Sequence, residues 1–581
     1  MQRFTAPRRA RALASLVTVA GLGLAATTVG TGTAQAADPA GDCATAYPVA
    51  DLTDGQAVTG LTVSQGTTPE GFTGEVLGVL DDGIAPGIDM VMVRLTSPEI
   101  DRVGVWQGMS GSPVYAADGR LIGAVSYGLA MGPSPVAGVT PYADMDDYLT
   151  ARPARTVDVD RAEARAIARS SDVPPARAAQ GFAQLPAPMG VAGVGARQLS
   201  LAEQKAGSRS YLPRSAYAVG RASADAAGPD TVVAGGNLAA SLAYGDITMA
   251  AVGTATSVCN GQVIGFGHPL SHLGATTLAL HPADAIYVQE DLIAGFKLAN
   301  LGAPAGTITN DRLTGISGLL GPLPETSDVT SGVTYGDRHR EGTSHVSVQT
   351  PDALASTTFY EFLANHDRVV DGMVDGSEIA SWTVTGTGPD GVPFELSSID
   401  RYVSDWELSY EVGFSLGDIV WALARIPDVS IDSVTTAATV QDDATSYRLS
   451  ALQRKVKGEW TTITRHDGIA VRAGSTLALQ AVLSGGGERT TVPISVKIPR
   501  RMAGAVGIID VTGGQYLGGL GRLTSIAQAK TAVANLVRND QLRVSLLSLS
   551  KRGRGTTVGT QVVGPLDGVI SGSRSAQLMV R

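Results

Sequence analysis

Short apolar runs separated by turn residues fill the part of the chain that comes after its N-terminal segment. The runs at 58–63, 74–80, 90–95 and 121–127 are each bounded by Gly, Pro, Asp or Ser. Apolar runs of this length between turn residues are typical of β-strands. The pattern therefore predicts a small β-barrel within residues 45–150.

The same pattern returns over residues 230–335. Apolar and small positions alternate at 247–256, and Asn260-Gly261 then provides a hairpin turn. A short apolar run at 263–267 leads directly into His268-Pro269. We predict a second barrel half here.

The segment between these two units, residues 151–229, is rich in Ala, Arg, Pro and Gly. A helical pattern covers only 160–168, and Pro174-Pro175, Pro186 and Pro188 interrupt the residues after it. We expect this segment to be a linker with little fixed structure.

The remaining residues, 340–581, predict a β-rich region with a few helices, in one or two subdomains. Strand patterns occupy 382–396, 406–414, 477–498 and 542–549, while helical spacing occurs at 354–365 and 524–537. With Gly 71 and Pro 29 but few aromatic residues, the composition also favours strands and turns over helical bundles. The predicted fold class is mostly β.

The N-terminus predicts an export signal over residues 1–36. Four arginines precede an apolar run at 12–26, and Ala34-Gln35-Ala36 forms a small-residue cleavage site. The pattern leaves a Sec and a twin-arginine route open. No later stretch reaches the roughly 18 apolar residues of a membrane span. We therefore expect a secreted protein, extracellular or associated with the cell envelope, with no stable membrane insertion.

The charge balance narrows the choice of partners. Loss of the signal removes four arginines and no acids, leaving 40 basic against 54 acidic residues, so the net charge changes from −10 to −14. An acidic surface argues against nucleic acid and anionic lipid as partners.

Cys43 and Cys259 are the only cysteines of the chain. In an exported protein an even pair favours a disulfide, which would tie the N-terminal part to the segment before His268. Two separate buried thiols are the alternative.

The most informative chemistry lies in Gly108-Met109-Ser110-Gly111-Ser112-Pro113. Small residues on both sides leave the Ser110 hydroxyl uncovered, and the N–H groups of Gly108 and Ser110 can converge as an oxyanion hole. The motif thus fits a serine nucleophile, although Gly, Ser and Pro also occur as ordinary hairpin punctuation.

A serine hydrolase also needs a general base, and no histidine precedes Ser110. His268 follows Gly267 at the end of a short apolar run, which makes it the best candidate; the alternative is a structural histidine. None of the seven histidines forms a convincing zinc motif. The lower-ranked histidines are His272, His281, His339, His345, His366 and His466.

Together with the stretch 306–316, the serine and histidine motifs resemble the SpoIVB-type serine peptidases over roughly residues 45–335. The resemblance implies a trypsin-like double β-barrel, with Ser110 as nucleophile on one barrel and His268 as general base on the other. The two segments stand in the reverse order here, so the resemblance implies a permuted core. An aspartate-proline pair of the family is replaced by Ser97-Pro98.

The sequence offers several candidates for the acid of a catalytic triad. Asp89 is the substitute candidate, because 89–95 resembles the aspartate-led strand of trypsin-like enzymes, but a turn aspartate is the alternative. Asp101, Asp246 and Asp284 stay open, as does a Ser–His pair without an acid.

These observations predict an exported serine endopeptidase that cleaves protein or peptide substrates through an acyl-enzyme and needs no metal or organic cofactor. The alternative is an inactive peptidase-fold protein that acts as an envelope binding or adhesion module. In a further alternative, residues 340–581 bind the cell wall or an envelope partner.

Overall fold

The protein is mostly β, as the sequence predicts: 50% of the described residues lie in strands and 18% in helices. The predicted signal peptide and His466 lie outside the described residues. The computed structural model describes residues 43–130, 132–145, 156–185, 189–214, 216–292, 295–372, 375–404, 407–464, 468–514, 523–549 and 555–581.

The first barrel is a closed six-stranded antiparallel sheet. Its strands follow the order β4-β1-β2-β3-β6-β5, and pairing of β4 with β5 closes it. Two helices accompany the barrel, and Val91, Val93 and Val125 are among its buried core residues. The elements are β1 Ala57–Thr62, β2 Glu70–Ala85, β3 Ile88–Thr96, α1 Pro98–Val103, β4 Pro113–Ala116, β5 Leu121–Leu129, β6 Val136–Pro141 and α2 Tyr142–Met145, preceded by a 3-10 turn at Val49–Asp51.

The connection between the barrels is more structured than the sequence predicts. Its first part packs on the first barrel, where Ile167 and Phe182 are fully buried, and its second part pairs with a strand of the second barrel. The expectation of little fixed structure is therefore wrong for the described residues, because their scattered apolar side chains are buried against the barrels. The elements are β7 Thr156–Val157, α3 Arg161–Ser170, α4 Pro175–Ala178, β8 Phe182–Gln184, β9 Gly190–Ala192, α5 Ala196–Lys205, β10 Tyr217–Ala218 and a 3-10 turn at Pro229–Thr231.

The second barrel is also a closed six-stranded antiparallel sheet. Its strands follow the order β12-β13-β17-β16-β14-β11, and pairing of β12 with β11 closes it. The predicted hairpin turn at Asn260-Gly261 is confirmed, with φ values of 51° and 80°. The strands are β11 Asn237–Gly245, β12 Thr248–Cys259, β13 Gln262–Gly265, β14 Gly274–Gln289, β15 Phe296–Leu301, β16 Gly306–Arg312 and β17 Gly315–Leu320, with β15 paired to β14 outside the closed ring.

The two closed barrels are those of a trypsin-like double β-barrel, which confirms the predicted fold class. Ser110 lies on the first barrel and His268 comes after β13 of the second, so the serine barrel is first along the chain.

The sheet of the second barrel continues into the C-terminal region through pairing of β11 with β19. Two long helices pack together on this extension, with the rings of Phe359 and Phe414 stacked 4.9 Å apart. The elements are β18 Ser327–Tyr335, β19 Arg338–Val346, α6 Pro351–Val370, β20 Gly376–Thr387, β21 Pro393–Ser404, α7 Leu408–Ala424 and β22 Ser430–Gln441.

The predicted strand over 406–414 is wrong, because α7 occupies most of it. Apolar residues occupy every second position of that short stretch, as in a strand. The buried positions Leu408, Val412 and Leu416, however, repeat at helical spacing. The helical period, which extends over more residues than the strand-like alternation, therefore corresponds to the observed structure.

The last part of the chain is a sandwich of two five-stranded sheets around a common core. The predicted strand at 542–549 is confirmed by β29, and the predicted helix at 524–537 by α8. No helix among the described residues is long and apolar enough to cross a membrane. The elements are β23 Ser446–Val456, β24 Glu459–Thr462, β25 Gly468–Val471, β26 Thr476–Gly485, β27 Glu488–Lys497, β28 Val506–Gly513, α8 Ile526–Ala534, β29 Leu542–Leu549, β30 Gly555–Val563, β31 Val569–Ser571 and β32 Ser573–Val580, with a 3-10 turn at Arg500–Met502.

Cys43 and Cys259 form a disulfide, as the cysteine count predicts, with their Cα atoms 4.8 Å apart. The bond joins the start of the described chain to the end of β12.

Candidate active site

The turn that carries Ser110 is held by strand β12 of the other barrel. The backbone N–H of Thr254 donates to the Ser110 carbonyl oxygen at 2.8 Å. The Thr254 hydroxyl donates to the Gly108 carbonyl at 3.1 Å, and the Thr256 hydroxyl donates to the Gly111 carbonyl at 2.7 Å. The serine turn therefore lies at the interface between the barrels and is fixed from both sides.

Two glycines of the motif are required by the backbone and by close packing. Gly108 and Gly111 have φ values of 94° and 96°, in the region that favours glycine. A Cβ atom on Gly111 would lie 1.9 Å from the Thr254 carbonyl oxygen, and one on Gly108 would lie 2.9 Å from Cβ of Lys297. Neither position can hold a side chain in this structure.

The two N–H groups predicted for an oxyanion hole have no acceptor among the described residues. The N–H groups of the two neighbouring residues are already hydrogen-bonded. Met109 N–H donates to Trp106 O at 3.1 Å, and Gly111 N–H donates to Val125 O at 2.8 Å. The turn thus leaves the donors of Gly108 and Ser110 available, the arrangement that stabilisation of an oxyanion needs.

His268 lies at the same interface and is fully buried. The first barrel holds its backbone, because the Thr140 hydroxyl donates to the Gly267 carbonyl at 2.7 Å. Phe266, two residues earlier, has a φ of 67°, which is rare for an aromatic residue and is the kind of strain found at functional sites. Burial lowers the pKa of the His268 imidazole to about 4, so the ring is neutral at neutral pH.

The contacts of Nδ1 decide which nitrogen of His268 can act as a base. Nδ1 lies 2.8 Å from the Pro269 carbonyl oxygen and 3.0 Å from Nε2 of Gln184. If Nδ1–H donates to Pro269 O, then Nε2 carries the lone pair and can accept a proton. The Gln184 amide also donates to Pro269 O at 3.0 Å.

Ser110 and His268 are brought to the same region through Thr254. Its N–H binds the Ser110 carbonyl, and its own carbonyl accepts from Phe266 N at 3.3 Å. Ser110 Oγ and His268 Nε2 are both buried and have no hydrogen-bond partner among the described residues, so no hydrogen bond joins them here. Each unpartnered buried group costs about 1–3 kcal/mol, and such costs are tolerated where a function requires them.

Asp89 does not contact His268 in the described structure. It lies near the start of β3, and its carboxylate accepts the backbone N–H of Asp82 at 2.9 Å, which makes it a hairpin aspartate. Of the other candidates, Asp246 pairs with Arg340 at 2.6 Å, while Asp101 is exposed on α1. Asp284, on β14, makes no described contact with the imidazole either.

Asp311 is the carboxylate that holds the histidine loop. It is fully buried and accepts three backbone N–H groups, from Leu270 at 2.7 Å, Ser271 at 2.8 Å and Leu273 at 3.1 Å. Its position in the Asn310-Asp311 stretch of the family resemblance was the available signal. It fixes the backbone after His268 and does not touch the ring.

Lys297 is a second residue that the sequence did not indicate. It is fully buried beside Gly108, its backbone N–H donates to Gln107 O at 2.9 Å, and its ammonium donates to Asn237 Oδ1 at 2.8 Å. No carboxylate pairs with it within the described part of the chain, and burial lowers its pKa to about 7. A lone lysine in a strand gives no sequence signal of burial.

His281 shows what a structural histidine looks like in this fold. It is fully buried, but both ring nitrogens have partners, Ser241 Oγ at 2.8 Å and Gly302 O at 2.9 Å. His268 differs because its Nε2 atom is left without one among the described residues.

The comparisons with known proteins add no identification. No family model, no curated protein and no solved structure matches the chain.

Proposed function

We propose that the protein is a serine endopeptidase with Ser110 as nucleophile and His268 as general base. The observation that carries the proposal is the pair of buried atoms Ser110 Oγ and His268 Nε2 at the interface of the two barrels, both without a partner among the described residues. The two unused backbone donors of Gly108 and Ser110 lie in the same turn. The resemblance to SpoIVB-type serine peptidases supports the same assignment.

In the proposed mechanism Ser110 attacks the carbonyl carbon of the scissile peptide bond while Nε2 of His268 takes the hydroxyl proton. The N–H groups of Gly108 and Ser110 stabilise the oxyanion. His268 then protonates the leaving amine, and water hydrolyses the acyl-enzyme by the same route. The Pro269 carbonyl takes the place of a triad carboxylate by accepting a hydrogen bond from Nδ1–H, which stays on the imidazole throughout.

The buried atoms must approach one another before reaction, because they are not hydrogen-bonded here. Catalytic hydrogen bonds are often long without substrate and tighten in the complex. The predicted signal places such an enzyme outside the cytoplasm, acting on secreted or envelope proteins.

A non-catalytic peptidase-fold binding protein is the second candidate. The observation that favours it is the absence of a carboxylate next to Nδ1, where the described structure has Pro269 O and Gln184. A neutral acceptor stabilises the imidazolium of the transition state less than a carboxylate does.

Labelling with a fluorophosphonate probe separates the two candidates. We expect a folded protein with residues 37–581 to be labelled, and the label to be lost in Ser110→Ala and His268→Ala. Ser112→Ala and His281→Ala are the matched controls, since both residues are buried and hydrogen-bonded away from the pair. Equal labelling of Ser110→Ala and the wild type, or no labelling of any folded form, contradicts the peptidase.

A further inference from the structure

Strand β8 occupies an edge of the serine barrel next to the candidate site. On this edge β4 pairs with β5 only up to Ala124, and β8 pairs antiparallel with β5 from Tyr127 to Leu129. The ladder continues at both ends, since Leu185 N donates to Ser126 O at 3.0 Å and Ala130 N donates to Gly181 O at 3.1 Å. The segment is thus an added strand on a barrel that is already closed without it.

This strand also touches the candidate base. The side chain of Gln184 places its Nε2 atom 3.0 Å from Nδ1 of His268. Since His268 comes after β13 of the second barrel, the segment contacts both barrels, and it does so beside the candidate base.

The last described residue of the segment fills an apolar pocket. Leu185 is 3% exposed and belongs to the same buried cluster as Trp106 and Met109, the latter adjacent to Ser110. The missing side chain of Gly128 provides the space, because a Cβ atom there would lie 3.0 Å from Cδ2 of Leu185. The pocket therefore accepts a side chain of leucine size.

A folded unit holds the segment at the edge of β5. Phe182 is fully buried in one cluster with Val157 and Ile167, so α3 and β7 anchor the strand at its N-terminal end. An occupant tethered in this way acts at a high effective concentration without needing many contacts of its own.

We propose that Phe182–Gln184 and Leu185 form a built-in pseudosubstrate, and that the enzyme's true substrates are extended peptides with a leucine-sized aliphatic residue in the place of Leu185. Extended peptides commonly bind by adding a strand to a sheet edge, with pockets selecting alternate side chains. The inference rests on the proposed peptidase activity and adds to it a substrate class and a reason for low basal activity.

The rate of fluorophosphonate labelling tests whether the segment blocks the site. Ala183→Pro removes the backbone N–H that, in the antiparallel register, faces the carbonyl of Gly128. Leu185→Asp places a charge in the apolar pocket. Both variants should displace the segment from the edge of β5. Two different substitutions are used so that a folding defect in one of them does not leave the inference without a test. Gln180→Asp introduces a charge at an exposed position of the same connection and is the matched control.

We expect both opening variants to be labelled about tenfold faster than the wild type or more, because the competent state is then populated. Gln180→Asp should be labelled at the wild-type rate, and Ser110→Ala in the Ala183→Pro background should abolish labelling. The peptide acetyl-Phe-Ala-Gln-Leu-amide should slow labelling of Ala183→Pro, whereas acetyl-Phe-Ala-Gln-Asp-amide should not.

The outcomes distinguish this inference from the proposed function. Labelling of Ala183→Pro and Leu185→Asp at the wild-type rate or more slowly, with Ser110→Ala still unlabelled, overturns the pseudosubstrate while the peptidase stands. No labelling in any folded form overturns the peptidase and the pseudosubstrate together. Equal effects of the two peptides overturn the leucine pocket.

Discussion

The carboxylate of Asp311 lies 2.7 Å from the backbone nitrogen of Leu270, two residues after His268. With the two further N–H groups that it accepts, this buried carboxylate fixes the loop that begins at the candidate base. The fold thus uses an aspartate to hold the histidine's backbone, while Nδ1 of the ring lies within hydrogen-bonding distance of the Pro269 carbonyl and the Gln184 amide.

Asp311→Asn should destabilise the protein and slow probe labelling. The amide of asparagine replaces one accepting oxygen with a donor that faces the N–H groups of Ser271 and Leu273. Hydrogen bonds to charged groups contribute about 1.5–3 kcal/mol, and we expect a loss of this size in guanidinium unfolding. Asp101→Asn, at an exposed position, is the control. An unfolding free energy equal to that of the wild type would show that the carboxylate does not hold the loop.

The imidazole of His268 should remain neutral in the wild type down to about pH 4. Burial lowers its pKa, so its NMR resonance should not titrate between pH 8 and pH 5. In Ala183→Pro the loosened segment should admit water and raise the pKa towards about 6.5. His268→Gln assigns the resonance. Titration near 6.5 already in the wild type would contradict the burial of the ring.

Lys297 should make stability depend on pH in the alkaline range. Its folded pKa of about 7 lies below the unfolded value, so the unfolded chain binds more protons above pH 7. The free energy of unfolding therefore rises with pH between about pH 7 and pH 10, by up to about 1.4 kcal/mol per pH unit.

Lys297→Met removes this contribution. The stability difference between wild type and Lys297→Met should therefore shift in favour of the wild type from pH 7.5 to pH 9.5 by more than about 1 kcal/mol. Exposed Lys530→Met should show no such shift. A difference that stays constant between the two pH values refutes the low pKa of Lys297.

The Cys43–Cys259 disulfide should contribute strongly to stability. It spans a sequence separation of 216 residues and so restricts a long loop of the unfolded chain. We expect the double variant Cys43→Ser/Cys259→Ser to lose about 2–5 kcal/mol in guanidinium unfolding. The wild type measured with reductant provides the matched comparison, and a loss below about 1 kcal/mol in both would refute the contribution.

Much of the fold can be predicted from local patterns. The turn at Asn260-Gly261 and the strand at 542–549 were readable because a turn signal or an apolar run defines each of them within a few residues. The helix α7 was not, since its first residues alternate like a strand and only its full length shows the helical period. Residues 182–185 carry no strong strand signal, and only pairing with β5 makes them a strand.

The site was predictable where chemistry coincides with a rare sequence feature. Ser110 stands in a glycine-rich motif, and His268 comes after an apolar run and precedes a proline. The contacts of Asp311, Lys297 and Gln184 depend on neighbours far away in the chain, so their residue types alone could not single them out. Residues 89–95 resemble an aspartate-led strand, but the carboxylate of Asp89 accepts the Asp82 N–H across the hairpin.

The pairing of β11 with β19 has a consequence for how the chain can be divided. Residues 243–245 pair with residues 344–346, so a cut near residue 340 removes hydrogen-bonding partners from a strand that also closes the second barrel. A fragment of residues 340–581 would begin inside a sheet and expose a new edge prone to aggregation. The second barrel and strands β18–β22 thus share one hydrogen-bonded sheet. Force applied to the C-terminal region would be transmitted through this sheet to the barrel that carries His268.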